Sequence, residues 1–151
     1  MKRALLILLT FIFLLSMAAC GGYNEIMREH LGNEENYYPI DATFCSYTET
    51  DDRIYLYVTV EDKSAFDPFE SNKEKLILEL VGDNCEALDK FLEKEEIREG
   101  DKITVKCSTW IYMDSTFYYV AEIKIQGETY LTFDDGLKNI RNYMDGNKSL
   151  I

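Results

Sequence analysis

One histidine, His30, stands in 151 residues. A single imidazole near the N-terminus leaves the rest of the chain with no histidine base for a catalytic dyad or triad. Cations are also scarce: 16 Lys and Arg face 28 Asp and Glu, for a formal charge of −12. Phosphate backbones are recognised by clustered positive charge, so this balance gives the expectation of no nucleic-acid partner. The four cysteines form no Cys-x-x-Cys pair, which excludes a zinc ribbon. No glycine-rich phosphate loop is present. The acidic runs Glu49-Asp51-Asp52, Glu61-Asp62 and Asp134-Asp135 lack calcium-loop spacing and read as solvated turns. The chain is therefore expected to hold no metal and no cofactor, and not to be an enzyme. The two prolines, Pro39 and Pro68, and the absence of low-complexity sequence leave room for regular structure.

What the chain does have begins at residue 1. Lys2 and Arg3 precede an apolar run, Ala4 to Leu15, broken only by Thr10. Ser16-Met17-Ala18-Ala19-Cys20 follows, then Gly21-Gly22. At about 16 residues the stretch 4–19 is shorter than the roughly 20 that a membrane span needs, and it reads as a cleaved secretory signal. It resembles a bacterial lipoprotein signal with its lipobox, except that Met17 stands where Leu is usual. The resemblance implies cleavage after residue 19, a lipid on Cys20, and a location on the extracytoplasmic face of the cell envelope. Losing Lys2 and Arg3 would lower the formal charge from −12 to −14.

Residues 20–38 are polar around Gly32-Asn33-Glu34-Glu35-Asn36 and read as a tether. Residues 39–134 read as one domain, and residues 135–151 as a C-terminal segment with a short helix. Within the domain, Ile40–Thr48 reads as a strand. Arg53–Val60 alternates Ile54, Leu56, Val58 and Val60 with Tyr55, Tyr57 and Thr59, the clearest strand pattern in the chain. Lys75–Val81 is a third strand. Asp83–Glu96 carries Cys85, Leu88, Phe91 and Leu92 at helical spacing, with Asp83 as the expected cap. Lys102–Met113 and Thr116–Ile125 are two more strands, and 129–133 extends the sheet. In the fifth strand Phe117, Tyr119 and Ala121 are expected inward, and Tyr118 and Val120 outward.

The fold class is mainly β with one helix, in the order β-β-β-α-β-β. That order resembles the OB-fold, a five-stranded barrel with a helix between its third and fourth strands. In that fold the first and fourth strands are neighbours. The resemblance thus brings Cys45 near Cys107, and leaves open a disulfide between them or three small buried side chains that include Cys85. It also places the ligand face on the second and third strands and the adjoining loops. Tyr55, Tyr57, Trp110, Tyr112 and Tyr118 all alternate with core positions and form the candidate face. Tyr and Trp there can stack on sugars or bases or pack against a protein, and for a nucleic acid the basic residues Lys106, Lys124 and Arg53 are too few.

The resulting expectation is a non-catalytic binding or interaction module. A lipid anchor holds it to the membrane, and it takes a protein or carbohydrate ligand. An envelope scaffolding lipoprotein is the alternative, and a hydrolase comes third.

Overall fold

The computed structural model describes residues 22–61, 75–92, 97–113 and 115–146. Cys20, the signal stretch 1–19 and the Phe66–Phe69 loop lie outside these. Residues 22–32 form a helix, α1. A single 3-10 turn, Glu34–Asn36, leads into β1 (Tyr37–Glu49). Then come β2 (Arg53–Thr59), β3 (Leu76–Val81), α2 (Asp83–Leu92), β4 (Lys102–Tyr112), β5 (Ser115–Ile125), β6 (Glu128–Leu131) and α3 (Phe133–Gly146). The class is mainly β; beyond α2 and the helix expected in the C-terminal segment, α1 is a further helix where a tether was expected. Among the described residues no helix is long and apolar enough to cross a membrane.

The sheet runs β3-β2-β1-β4-β5-β6, and β3 also pairs with β5 in parallel. The six-stranded sheet therefore closes into a ring, with β6 appended to β5. The first half of β1 pairs with β4 and the second half with β2, so one strand serves both sides of the ring. This is an OB-like arrangement.

Alternation decides what fills the ring. Ile54, Leu56 and Val58 of β2, Leu78 and Leu80 of β3, and Val105 and Cys107 of β4 are all buried inside. Cys85, Leu88 and Leu92 of α2 join the same cluster. Helix α2 begins beside Gly82, whose carbonyl accepts from Cys85 N–H at 2.9 Å, so Asp83 is the first helical residue rather than the cap. Gly82 has φ +54, and an added Cβ would stand 2.9 Å from Tyr143 Cδ2. Both the backbone angle and the space call for glycine. The side chain of Phe91 lies outside the described residues.

The inward and outward positions of β5 differ from the expected pattern. Lys106 pairs with Glu122 while Cys107 pairs with Val120, so Ala121 is an extra residue in β5. This bulge reverses the parity of the strand. On one side of it Tyr118 and Val120 point into the ring, and beyond it Ile123 and Ile125 do. Tyr119 and Ala121 point outward into a second apolar layer with Met27 and Leu31 of α1, Tyr37 and Val81, and Leu137, Ile140 and Met144 of α3. Without the bulge, Tyr119 and Ala121 would share the inner face with Ile123 and Ile125.

The second layer corrects the tether. Residues 22–32 are a docked helix, with Met27 and Leu31 each 1% exposed. Each fully buried side chain of this size contributes about 1.5–3 kcal/mol, which holds these residues against the sheet. The carbonyls at its end are taken up as well. Tyr37 OH donates to Leu31 O at 2.8 Å, and Arg141 Nε donates to Gly32 O at 3.0 Å. Arg28 Nη2 reaches across to Met144 O at 2.7 Å.

Helix α3 sits on the Ala121 bulge. Gly136 lies so close that an added Cβ would be 1.9 Å from Ala121 O. Beside it the fully buried Asn84 donates to Val120 O at 3.3 Å and Gly136 O at 3.1 Å, and accepts from Asn139 Nδ2 at 3.0 Å. One amide thus ties α2, α3 and β5 together with its polar atoms satisfied.

Candidate functional site

The outer face of β2 is set by its unbroken alternation. Ile54, Leu56 and Val58 are buried, so Tyr55, Tyr57 and Thr59 stand outside, each half-buried. Two residues along a strand span about 6.8 Å, so the two rings present separate surfaces. Tyr57 is paired across β3 with Ile77, which is 46% exposed, and across β1 with Ser46. Thr48 Oγ1 and Tyr57 OH stand 3.5 Å apart. The result is a small platform of two rings and an isoleucine, edged by hydroxyls.

An ion pair underlies one end of this platform. Glu79, paired with Tyr55 across the strands, is 3% exposed. Arg53 Nη1 donates to its Oε1 at 2.7 Å. Burial pushes the Glu79 carboxyl above its usual range, and the Arg53 guanidinium opposes that shift. Tyr143 OH donates to Asp52 Oδ2 at 2.8 Å at the same end. Beyond the other end, Thr59 opens onto a cleft of about 690 Å³ between β1, β2 and β4. Lys102 and Lys124 line it. Lys102 Nζ donates to Glu61 Oε1 at 2.9 Å and Thr43 Oγ1 at 3.0 Å, and Lys124 Nζ lies 2.9 Å from Glu122 Oε1. Both cations are thus shared with carboxylates.

The five aromatic residues singled out in the sequence do not form one face. Tyr55 and Tyr57 share the platform. Tyr118 is 1% exposed inside the ring, because the Ala121 bulge reverses β5. Trp110 and Tyr112 lie on the outer face of β4, but α1 covers them. Tyr23 packs against both, with ring centroids 5.5 Å from Trp110 and 4.8 Å from Tyr112. Trp110 Nε1 donates to Tyr23 OH at 2.7 Å. Burial raises the Tyr23 phenol pKa, and the Trp110 hydrogen bond opposes that. His30 lies on the same side, its ring 5.3 Å from Trp110. Its Nε2 is 3.0 Å from Thr109 O, a group that only accepts, so Nε2 carries the proton and Nδ1 accepts from Asn36 Nδ2 at 3.2 Å. His30 is thus a packed, hydrogen-bonded residue of α1. Tyr23, which the sequence reading passed over, is signalled by its spacing of i, i+4 and i+8 with Met27 and Leu31.

The three described cysteines are free thiols. Cys107 lies opposite Tyr38, seven residues along β1 from Cys45. That is roughly 23 Å of strand, against the roughly 7 Å between Cα atoms that a disulfide tolerates. Cys45 is itself the extra residue of a bulge between Phe44 and Ser46. The Cys45–Cys107 bridge is therefore not formed. Burial pushes the Cys85 and Cys107 thiols up to about 12. Among the described residues no cluster of three His, Cys, Asp or Glu is placed to hold a metal.

No protein-family model matches the chain, and no curated protein matches it. Solved structures resemble it in fold. One is the mitochondrial single-stranded DNA-binding protein Rim1 of S. cerevisiae, at 13% identity and TM-score 0.45, covering 62% of this chain and 96% of that one. Another is Pot1pC of S. pombe bound to single-stranded DNA, at 17% identity and TM-score 0.40, covering 72% and 91%. A third is the S. pombe Stn1–Ten1 complex, at 11% identity and TM-score 0.43, covering 73% and 69%. The expected protein- or carbohydrate-binding module without a nucleic-acid partner is corrected by this finding, since Rim1 and Pot1pC are described by their single-stranded DNA. Net charge is a sum over the molecule, and by itself it does not decide what a local group of rings binds.

Proposed function

We propose that the chain binds a single nucleic-acid strand through its bases, stacked on Tyr55 and Tyr57, with the phosphates turned toward solvent. The observation that carries this reading is the platform itself: two half-buried tyrosines at i and i+2 on the outer face of β2. Base–aromatic stacking is tolerant of sequence and contributes about 1–3 kcal/mol per base. The cleft beyond Thr59 continues the path and offers Lys102 and Lys124 to a phosphate. With its overall negative charge the chain would hold such a strand weakly, by rings rather than by charge.

The test is fluorescence anisotropy of a labelled twelve-nucleotide thymidylate strand, with wild type against the Tyr55→Ala/Tyr57→Ala variant. Loss of two stacks at the low end of that range predicts at least ~30-fold weaker binding. Equal affinity in the two proteins, or no binding by wild type at millimolar concentration, would overturn the reading.

We also propose the location that Cys20 implies, on the extracytoplasmic face through a lipid. A Cys20→Ser chain should then be released from the membrane fraction or remain unprocessed, and unchanged processing together with unchanged membrane retention would refute it.

A further inference from the structure

We propose that the tip of the β4–β5 hairpin is a membrane-contact surface, with Ile111 and Met113 entering the lipid headgroup boundary beside the Cys20 anchor. The inference rests on the location proposed above from Cys20. It uses no residue of the β2 platform.

The tip is apolar where hairpin ends are usually polar. Strands β4 and β5 pair as far as Tyr112 and Ser115, and Met113 follows Tyr112 with φ +53. Short hairpin loops favour asparagine, aspartate and glycine at such an angle, so turn chemistry does not select a methionine. Met113 is 80% exposed, the most of any large apolar side chain among the described residues, and Ile111 is 50% exposed. Ile26 of α1, one helical turn from Tyr23, is 60% exposed. From Cys107 to Ala121 the sequence carries one charged residue, Asp114, in a chain that is 29% charged. The hairpin itself therefore adds little repulsion from an anionic surface.

Covalent reach selects a bilayer as the occupant. Tyr23 packs on Tyr112, with ring centroids 4.8 Å apart, and accepts from Trp110 Nε1 at 2.7 Å. Trp110 and Phe117 in turn pack on the second apolar layer, so Tyr23 is seated on a firmly held hairpin. Three peptide units separate Tyr23 from Cys20, and they span at most about 11 Å in any conformation. That is shorter than the radius of gyration of roughly 14 Å expected for a domain of this length. A lipid on Cys20 therefore brings this hairpin, and not the opposite side of the ring, to the bilayer. Apolar side chains at such an interface settle about 5–10 Å into the headgroup–acyl boundary. Ile111 and Met113, on either side of Tyr112, are the side chains placed to do so.

Trp110 is the single tryptophan of the chain, so the experiment moves it. Full-length Trp110→Phe/Met113→Trp and Trp110→Phe/Tyr47→Trp chains in detergent are reconstituted into phosphatidylcholine vesicles, with and without bromine on the acyl chains. Tyr47, 41% exposed, lies in the half of β1 that pairs with β2 and serves as the control. Flotation with the vesicles reads the anchor, and emission reads the tip. The Met113→Trp chain should float and lose at least about half its emission to bromine at the boundary depth, and the Tyr47→Trp chain should lose less than about a tenth. Flotation without quenching at position 113, or with equal quenching at both positions, overturns the tip and leaves the anchor standing. Chains that do not float overturn both. Shielding of the position-113 tryptophan from acrylamide without bromine quenching assigns the tip to a second copy of the chain and overturns the membrane contact. Should the double variants fail to fold by circular dichroism, the native Trp110 carries the test, and its bromine quenching should fall at least about two-fold in Met113→Asp. Unchanged Trp110 quenching in Met113→Asp overturns the proposal.

Discussion

Replacing Gly136 with alanine sets two rules of helix stability against each other. Glycine in a helix interior costs about 0.5–1 kcal/mol relative to alanine, so propensity alone predicts that Gly136→Ala stabilises. The packing predicts the opposite. The new Cβ would lie 1.9 Å from the Ala121 carbonyl oxygen, where ordinary contact begins near 3.4 Å. The obstacle is backbone, pinned in the β5 bulge, so α3 must lift by about 1.5 Å. Overpacking of this kind costs about 1–3 kcal/mol. The lift also stretches the 3.1 Å bond from Asn84 to Gly136 O, and a lost internal hydrogen bond is worth about 0.5–1.5 kcal/mol. After the propensity gain is subtracted, the net loss is about 2 kcal/mol. For a domain of this size that lowers the Tm by roughly 6–10 °C. Thermal and urea unfolding, read by circular dichroism and Trp110 emission, measures it. Gly146→Ala is the matched control, because nothing lies within 4 Å of that position. A Gly136→Ala protein as stable as wild type would refute the docking of α3 on Ala121.

Three further outcomes follow from contacts described above. With Lys102 and Lys124 the cations in the cleft, the slope of log affinity against log salt for the thymidylate strand should be no steeper than about −1.4, and a slope of −4 would refute a stacking-dominated mode. Arg53→Met leaves Glu79 buried without its cation and should cost about 3–5 kcal/mol at pH 7. The raised Glu79 pKa means the carboxyl takes a proton as pH falls, so stability should recover toward pH 5, and urea midpoints that do not rise there would contradict it. Cys85 and Cys107, pushed up to about 12, should resist iodoacetamide at pH 8 while half-exposed Cys45 reacts, as read by peptide mass. Their folded values exceed the ordinary 9.0, so this contribution to stability is whole below pH 9 and is lost as pH rises toward 12; a Tm unchanged from pH 8 to 11 would argue against it.

How far the sequence could be read depended on where its alternation was unbroken. In β2 the pattern runs from Arg53 to Thr59 without a bulge, and Tyr55 and Tyr57 stand where period two puts them. In β5 the same rule failed at Tyr118, because nothing local marks Ala121 as an extra residue; the insertion shows only against the register of β4. Trp110 and Tyr112 were read on the outer face of β4, where they lie, but a strand pattern cannot say what covers that face. The cover came from α1, where the stripe Tyr23, Met27 and Leu31 ran into the polar stretch Gly32–Asn36 and gave the segment the composition of a spacer. Its helix is set by tertiary burial of Met27 and Leu31, a contact more than eighty residues away in the chain. The Cys45–Cys107 pairing failed on register: adjacent strands were foreseen, but not that β1 changes partner along its length.

The dual role of β5 has a dynamic consequence. Tyr118 and Val120 belong to an inner kernel, and Tyr119 and Ala121 to an outer shell, on consecutive residues of one strand. Shedding the shell strips water protection from one side of that strand only, and its ladder to β4 stays intact. Amide exchange should therefore be graded, fastest in α1, slower in α3 and slowest where β4 meets β5, so that the molecule opens in layers from its N-terminal edge inward.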